Sequence, residues 1–172
     1  MTNHDQFHSQ ELVTNPSKIE SGERNLPISF RVADDGTFFF NATSQEDGKG
    51  VGIGGRISGE KVKLNFTRAD SILRGEGLSS KLLALMEDEL GKIGIKTIYA
   101  TFARVDQVGF YLANGYRIMP VESMPEQERT ELAIDTEAFD IGIKNDDDFD
   151  GIKDQTGRRL GQILLVKEIG KR

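Results

Sequence analysis

The residues best placed for chemistry form one short string. Arg74-Gly75-Glu76-Gly77-Leu78-Ser79 follows a strand pattern that ends near Ala69 and opens the most regular helical pattern in the chain. A helix start presents backbone N–H groups without intrahelical partners, together with the positive end of the helix dipole, so it attracts anions. Glycines at such a start let a phosphate or pyrophosphate approach the backbone. A side chain at Gly75 or Gly77 would obstruct that approach. A plain strand-to-helix turn with no ligand would show the same residues, so the local pattern leaves both readings open.

Two other strings invite a chemical reading. Gly50-Val51-Gly52-Ile53-Gly54-Gly55 satisfies G-x-G-x-x-G as letters. The dinucleotide fingerprint needs its last glycine to open a helix, whereas Arg56 to Leu64 continues as turn and strand. A glycine-rich strand at a bulge or a close packing contact is the better account. Asp146-Asp147-Asp148-Phe149-Asp150-Gly151 matches the opening of a calcium loop, with carboxylates at alternate positions and a glycine for the sharp turn. Gly157 stands where the loop's bidentate Glu belongs, so a solvated acidic turn is expected and no metal is assigned.

Composition removes further classes. Cys is 0, which excludes disulfides, thiolate metal sites and a cysteine nucleophile. His is 2, and both (His4, His8) lie near the start of the chain, away from the glycine string, which argues against a Ser-His-Asp triad or a histidine-rich zinc site. The net charge of -6 argues against nucleic acid or an anionic membrane surface as a partner. No apolar run approaches the roughly 20 residues of a membrane helix. Met1 to Gln10 is polar and unlike a signal peptide, so a cytoplasmic protein is expected.

The elements that must position the glycine string follow from periodicity. Residues 1–26 read as a polar arm, with a short helix possible over Glu11 to Ile19 but interrupted at Pro16. Residues 27–172 read as a single domain with a loop-rich acidic insertion at about 122–160. Ile28, Phe30 and Val32 alternate with polar neighbours, and Asp34-Asp35-Gly36 is a hairpin turn. The run Phe38 to Phe40 suggests a strand covered on both faces. Strands over Val51 to Ile57 and around Val62, Leu64 and Phe66 complete an antiparallel meander. Leu78, Leu82, Leu85, Met86, Leu90 and Ile93 then recur at helical spacing. A strand over Ile95 to Phe102, a short helix over Asp106 to Asn114 and a strand over Tyr116 to Val121 follow. Pro125 to Leu132 is helix-compatible, Glu137 to Arg159 reads as loop, and Gln162 to Ile169 is the last strand. The order is an α+β, or mixed α/β, layout with helices against a sheet.

The string Arg74 to Leu83 resembles the acyl-CoA pyrophosphate loop of the GNAT superfamily of N-acetyltransferases, and Phe110-Tyr111-Leu112-Ala113-Asn114-Gly115-Tyr116 resembles that family's Phe-Tyr-x-x-x-Gly-Phe element. The likeness is clear over about residues 61–121 and is one of strand order over 28–60. It implies a GNAT-like fold, a mostly antiparallel twisted sheet with flanking helices. It also implies an acetyl-CoA-dependent N-acyltransferase that moves an acetyl group to a primary amine by direct attack. Backbone groups of Thr67, Arg68 and Ala69 would hold the pantetheine, on a strand that splays from its neighbour. Amides of Arg74, Gly75, Glu76, Gly77, Leu78 and Ser79 would surround the pyrophosphate. Tyr111 would protonate the leaving thiolate.

Several positions depart from the family's pattern. Ser79 stands for a Gly or Ala, and Arg104 for an asparagine that often touches the cofactor. The family's first two helices, which wall the acceptor site, have no room at Asp34-Asp35-Gly36, so they are missing or replaced by the arm. No base stands out: Lys63, Asn65 and Thr67 occupy the strand where some members place an acid, and Glu60, Asp70 and Asp106 are alternatives. The acceptor is an amine on a small molecule or a protein, a homodimer is allowed, and the acidic balance favours a cationic acceptor. A GNAT-fold protein that binds acyl-CoA or a partner without catalysis is the rival reading.

Overall fold

The computed structural model describes residues 9–22, 24–69, 77–140 and 142–170. These form two compact units. The first holds the residues through Ile57 and those described within Phe66–Gly94; the second holds Ser58–Asn65 and the residues from Ile95 onward.

The first unit contains the strands β1 (Ser9–Leu12), β2 (Lys18–Ser21), β3 (Arg24–Ala33) and β4 (Thr37–Thr43), all of β5 (Gly50–Ser58) but its last residue, the end of β6 (Lys61–Ala69), and the helix α1 (Leu78–Lys92). β4 runs antiparallel between β3 and β5, with Phe30 opposite Phe40 and Phe40 opposite Ile53. The β3–β4 connection is the tight turn expected at Asp34-Asp35-Gly36. Gly36 lies at φ 89, and a Cβ there would stand 2.3 Å from the Ile57 carbonyl oxygen, so only glycine serves. The turn leaves no length for helices between these strands.

The arm departs from expectation. Instead of a short helix over Glu11 to Ile19, β1 and β2 both pair antiparallel with β3, Leu12 opposite Phe30 and Lys18 opposite Pro27. The open edge of β3 offers backbone partners for the whole segment, and Pro16 blocks helical continuity. The connection between β1 and β2 is tied to α1 by Glu89, whose side chain is 8% exposed and accepts hydrogen bonds from the Asn15 amide at 3.2 Å and Lys92 Nζ at 2.8 Å.

α1 packs against β4, burying Leu78, Leu82, Leu83, Met86 and Leu90. Phe38, Phe40 and Ala42 are buried on β4, while Phe39, between them, is 46% exposed. The expectation that both faces of the Phe38–Phe40 strand are covered is therefore wrong. Neighbouring side chains on a strand point to opposite faces, and helix packing accounts for the buried set at Phe38 and Phe40.

The second unit contains the first part of β6, then β7 (Thr97–Arg104), α2 (Val105–Ala113), β8 (Arg117–Ile118), α3 (Glu126–Glu131), α4 (Asp146–Asp150) and β9 (Arg159–Glu168). β6 and β7 are parallel, β9 runs antiparallel to β7, and β8 adds to β9. α2 packs on β7 and β9. Ile163, Leu164, Leu165 and Val166 are all buried, so the centre of β9 is covered on both faces. Part of that cover comes from the insertion: Val121, Met124 and Leu132 join Tyr99, Leu164 and Val166 in one apolar cluster, with Met119, Ile134 and Phe139 packed against it. The strand expected over Tyr116 to Val121 shrinks to two residues, because Pro120 and a 3-10 turn at Val121–Ser123 carry the chain away from β9.

Candidate functional site

The parallel ladder between β6 and β7 runs from Lys61 opposite Thr97 to Leu64 opposite Ala100. Both strands continue past it, β6 to Ala69 and β7 to Arg104. Thr67, Arg68 and Ala69 thus lie on the part of β6 beyond that ladder. Arg74, Gly75 and Glu76 lie outside the described residues, as does Asp70.

Gly77 is the N-cap of α1 and adopts the left-handed conformation, φ 71 and ψ 12. That backbone alone favours glycine, with or without an anion. Having no side chain, Gly77 cannot cap the helix, and the first turn, beginning Leu78-Ser79-Ser80, holds no acidic residue. A Cβ built on Gly77 meets nothing within 4 Å among the described residues. Leu78 is buried and turns inward, while Ser79 is half-buried.

In the second unit, Tyr111 is fully buried, at 0% exposure. Its ring stacks on Phe102, centroids 4.8 Å apart, and meets the rings of Phe110 and Tyr116 edge-on, both at 5.1 Å. The surrounding motif ends a helix in an ordered way. Asn114 Nδ2 donates to the Phe110 carbonyl at 2.8 Å, Gly115 turns the chain at φ 91, and the Tyr116 amide returns to the Tyr111 carbonyl at 3.1 Å. Lys167 Nζ lies 5.5 Å from the centre of the Tyr116 ring and donates to the Asn114 carbonyl.

The candidate bases do not stand out in the structure. Glu60 pairs with Lys96 at 3.3 Å and Asp106 with Arg104 at 3.2 Å, all four side chains well exposed. Lys63 Nζ donates to the Ala133 carbonyl.

The Asp146–Asp150 segment is the helix α4, not a calcium loop. Asn145 caps it by accepting from the Asp148 amide at 2.9 Å. Asp146 accepts from the Ile118 amide and Asp148 from the Lys144 amide, each at 2.8 Å. No cluster of three carboxylates or histidines suited to a metal occurs among the described residues.

Comparison with solved structures gives the fold a name. An acetyltransferase of the GNAT family from Staphylococcus aureus Mu50 superimposes with a TM-score of 0.53 at 16% identity, over 79% of this chain and 70% of that one. Tetrahymena GCN5 gives 0.51 at 14% identity, over 79% and 70%. A Bacillus subtilis acetyltransferase, solved in complex with CoA, gives 0.51 at 13% identity, over 79% of each chain. The fold is that of the GNAT acetyltransferases. No protein-family model and no curated protein sequence matches the chain. The GNAT likeness is therefore one of architecture, mixed α+β and mostly antiparallel with helices packed on the strands. No helix among the described residues is long and apolar enough to cross a membrane.

Within this GNAT fold, sequence reasoning overlooked one polar cluster. Lys61 on β6 and Tyr99 on β7 converge on Glu128 of α3. Lys61 Nζ pairs with Oε1, and the Tyr99 hydroxyl donates to Oε2 at 2.9 Å. Burial, then the Glu128 carboxylate, pushes the Tyr99 phenol up. Burial alone would raise Glu128 too, but the hydrogen bonds from Lys61 and Tyr99 outweigh it and hold the carboxyl below its usual value. Nothing in the sequence singles out Glu128, because every residue of α3 is polar. Its two partners lie far away along the chain.

Proposed function

We propose that the chain is an acetyl-CoA-dependent N-acyltransferase that transfers an acetyl group to a primary amine by direct attack. The observation that carries this reading is Gly77 at the head of α1 after β6, a helix start with no capping side chain and no acid in its first turn, within a GNAT fold. Such a start favours a pyrophosphate. Backbone groups of Thr67, Arg68 and Ala69 would hold the pantetheine, and the amides of residues 74–79 would hold the diphosphate. Bound acetyl-CoA supplies the activated acetyl group as a thioester. The acceptor nitrogen bonds to the acetyl carbon as the carbon–sulfur bond breaks. Tyr111 gives its proton to the leaving sulfur, and the nitrogen releases one to water, which restores the phenol. Isothermal titration calorimetry with CoA and a turnover assay over a panel of amines test the reading. Absence of CoA binding would sink it.

A second reading has its own support. Tyr111 is sealed among three aromatic rings at 0% exposure, as a core residue would be. A GNAT-fold protein that binds acyl-CoA or a partner without catalysis fits that packing. CoA binding without turnover of any amine would favour it.

A further inference from the structure

The half-buried side chain of Lys167, on β9, crosses the turn that follows α2. β8 pairs with β9 so that Arg117 lies opposite Val166. One step further along that register, Tyr116 comes opposite Lys167. Three successive residues then meet the lysine. Nζ donates to the Asn114 carbonyl at 2.9 Å. A Cβ added to Gly115 would lie 3.5 Å from both Cε and Nζ, so the stem passes beside that glycine. Nζ sits 5.5 Å from the centre of the Tyr116 ring. Carbonyls at the end of a helix lack intrahelical donors and carry partial negative charge, so a cation is favourable there. The face of the Tyr116 ring adds a cation–π attraction.

Tyr111 bears on the same residues from the other side. Its carbonyl accepts from the Asn114 amide at 3.0 Å and from the Tyr116 amide at 3.1 Å. Its ring meets the Tyr116 ring edge-on at 5.1 Å and stacks on Phe102 at 4.8 Å. The backbone and the ring of Tyr111 both rest on the turn that Lys167 spans. A proton donor depends on such support, since a misplacement of about 1 Å can cost on the order of 10²-fold in rate.

We propose that Lys167 is a positioning residue for Tyr111. It closes the turn after α2 and, through Asn114 and Tyr116, fixes where the Tyr111 phenol points. Its effect on turnover rests on the acyltransferase reading; its effect on the Tyr111 ring does not.

The test uses the full chain carrying isotope-labelled tyrosine, with the Tyr111 ring signals in magnetic resonance spectra identified by their loss in Tyr111→Phe. Lys167→Met keeps the stem and removes the donor and the charge. It should shift the Tyr111 signals, and Lys167→Arg should hold them near the wild-type positions. Lys167→Gln carries the same expectation and serves if Lys167→Met fails to fold. Unmoved Tyr111 signals in the folded variant overturn the proposal, whatever the activity. In the amine assay, Lys167→Met should lower kcat about tenfold with the KM for acetyl-CoA and the calorimetric CoA affinity unchanged, and Lys167→Arg should recover most of the loss. In a Tyr111→Phe background the same substitution should cost nothing more, because the hydroxyl it positions is gone. A further tenfold loss in that background, or an unchanged kcat in Lys167→Met, overturns the proposal. Failure of the acyltransferase reading looks different: the wild type binds no CoA and acetylates no amine, while the Tyr111 signals still respond to Lys167→Met.

Discussion

Tyr99 donates its hydroxyl to Glu128 Oε2 at 2.9 Å, and Lys61 engages the other oxygen of the same carboxylate. The side chain of Glu128 is only 18% exposed, so one carboxylate fastens α3 to β6 and β7. With its folded pKa held below the unfolded value, Glu128 adds stability that is fully present above about pH 4.3. That stability is lost as pH falls through the folded value. Glu128→Gln should therefore destabilise the protein by about 1–2 kcal/mol near neutral pH, and the gap should close on acidification. Melting curves at pH 7 and below pH 4 check this; a gap that is the same at both would refute the ionic role. Tyr99 runs the other way. Its raised pKa means its contribution is intact below about pH 10 and fades as pH climbs through the folded value.

Tyr111 decides between enzyme and binding protein. Tyr111→Phe keeps the ring that stacks on Phe102 and removes only the hydroxyl. Turnover should fall by roughly 10²–10⁴-fold, with CoA affinity nearly unchanged. Turnover equal to wild type would remove Tyr111 from the chemistry.

Gly77→Asp should lower CoA affinity by at least about tenfold, because it sets a negative charge at the head of α1. The left-handed backbone at φ 71 adds strain of about 1 kcal/mol, although among the described residues no neighbour lies within 4 Å of the new Cβ. Gly77→Asn carries the same strain without the charge and should retain more of the affinity. Unchanged calorimetric affinity in a folded Gly77→Asp would take α1 out of the site.

Millimolar calcium should leave the melting temperature unchanged. Asp146 and Asp148 are engaged by the amides of Ile118 and Lys144 and do not converge on one point. A ligand of the folded state would raise the temperature, so a calcium-specific shift lost in Asp148→Ala would contradict this.

The amphipathic period of Leu78, Leu82, Met86 and Leu90, the turn at Asp34-Asp35-Gly36 and the glycine string ahead of α1 were legible from residue order alone. Each is a local matter of side-chain spacing or backbone freedom, settled within a few residues. The two short motifs at Arg74–Ser79 and Phe110–Tyr116 carried the fold for a similar reason, since loops that shape backbone groups depend on glycines at set positions. Other features depended on partners remote in sequence. Ser9–Leu12 and Lys18–Ser21 have no strand alternation of their own and become strands only because the edge of β3 is open to them. Phe38, Phe39 and Phe40 are identical letters. Packing against α1 buries two, and the uncovered face exposes the one between. The Phe-Tyr-x-x-x-Gly element favours an acid at Tyr111, while the rings of Phe102, Phe110 and Tyr116 that close around it are not legible in residue order. Glu128 gains its role from Lys61 and Tyr99, which lie 67 and 29 residues away in the chain. Residue order determines what each segment can do locally. Burial and pairing are properties of the neighbours it meets, and only the tertiary structure chooses those.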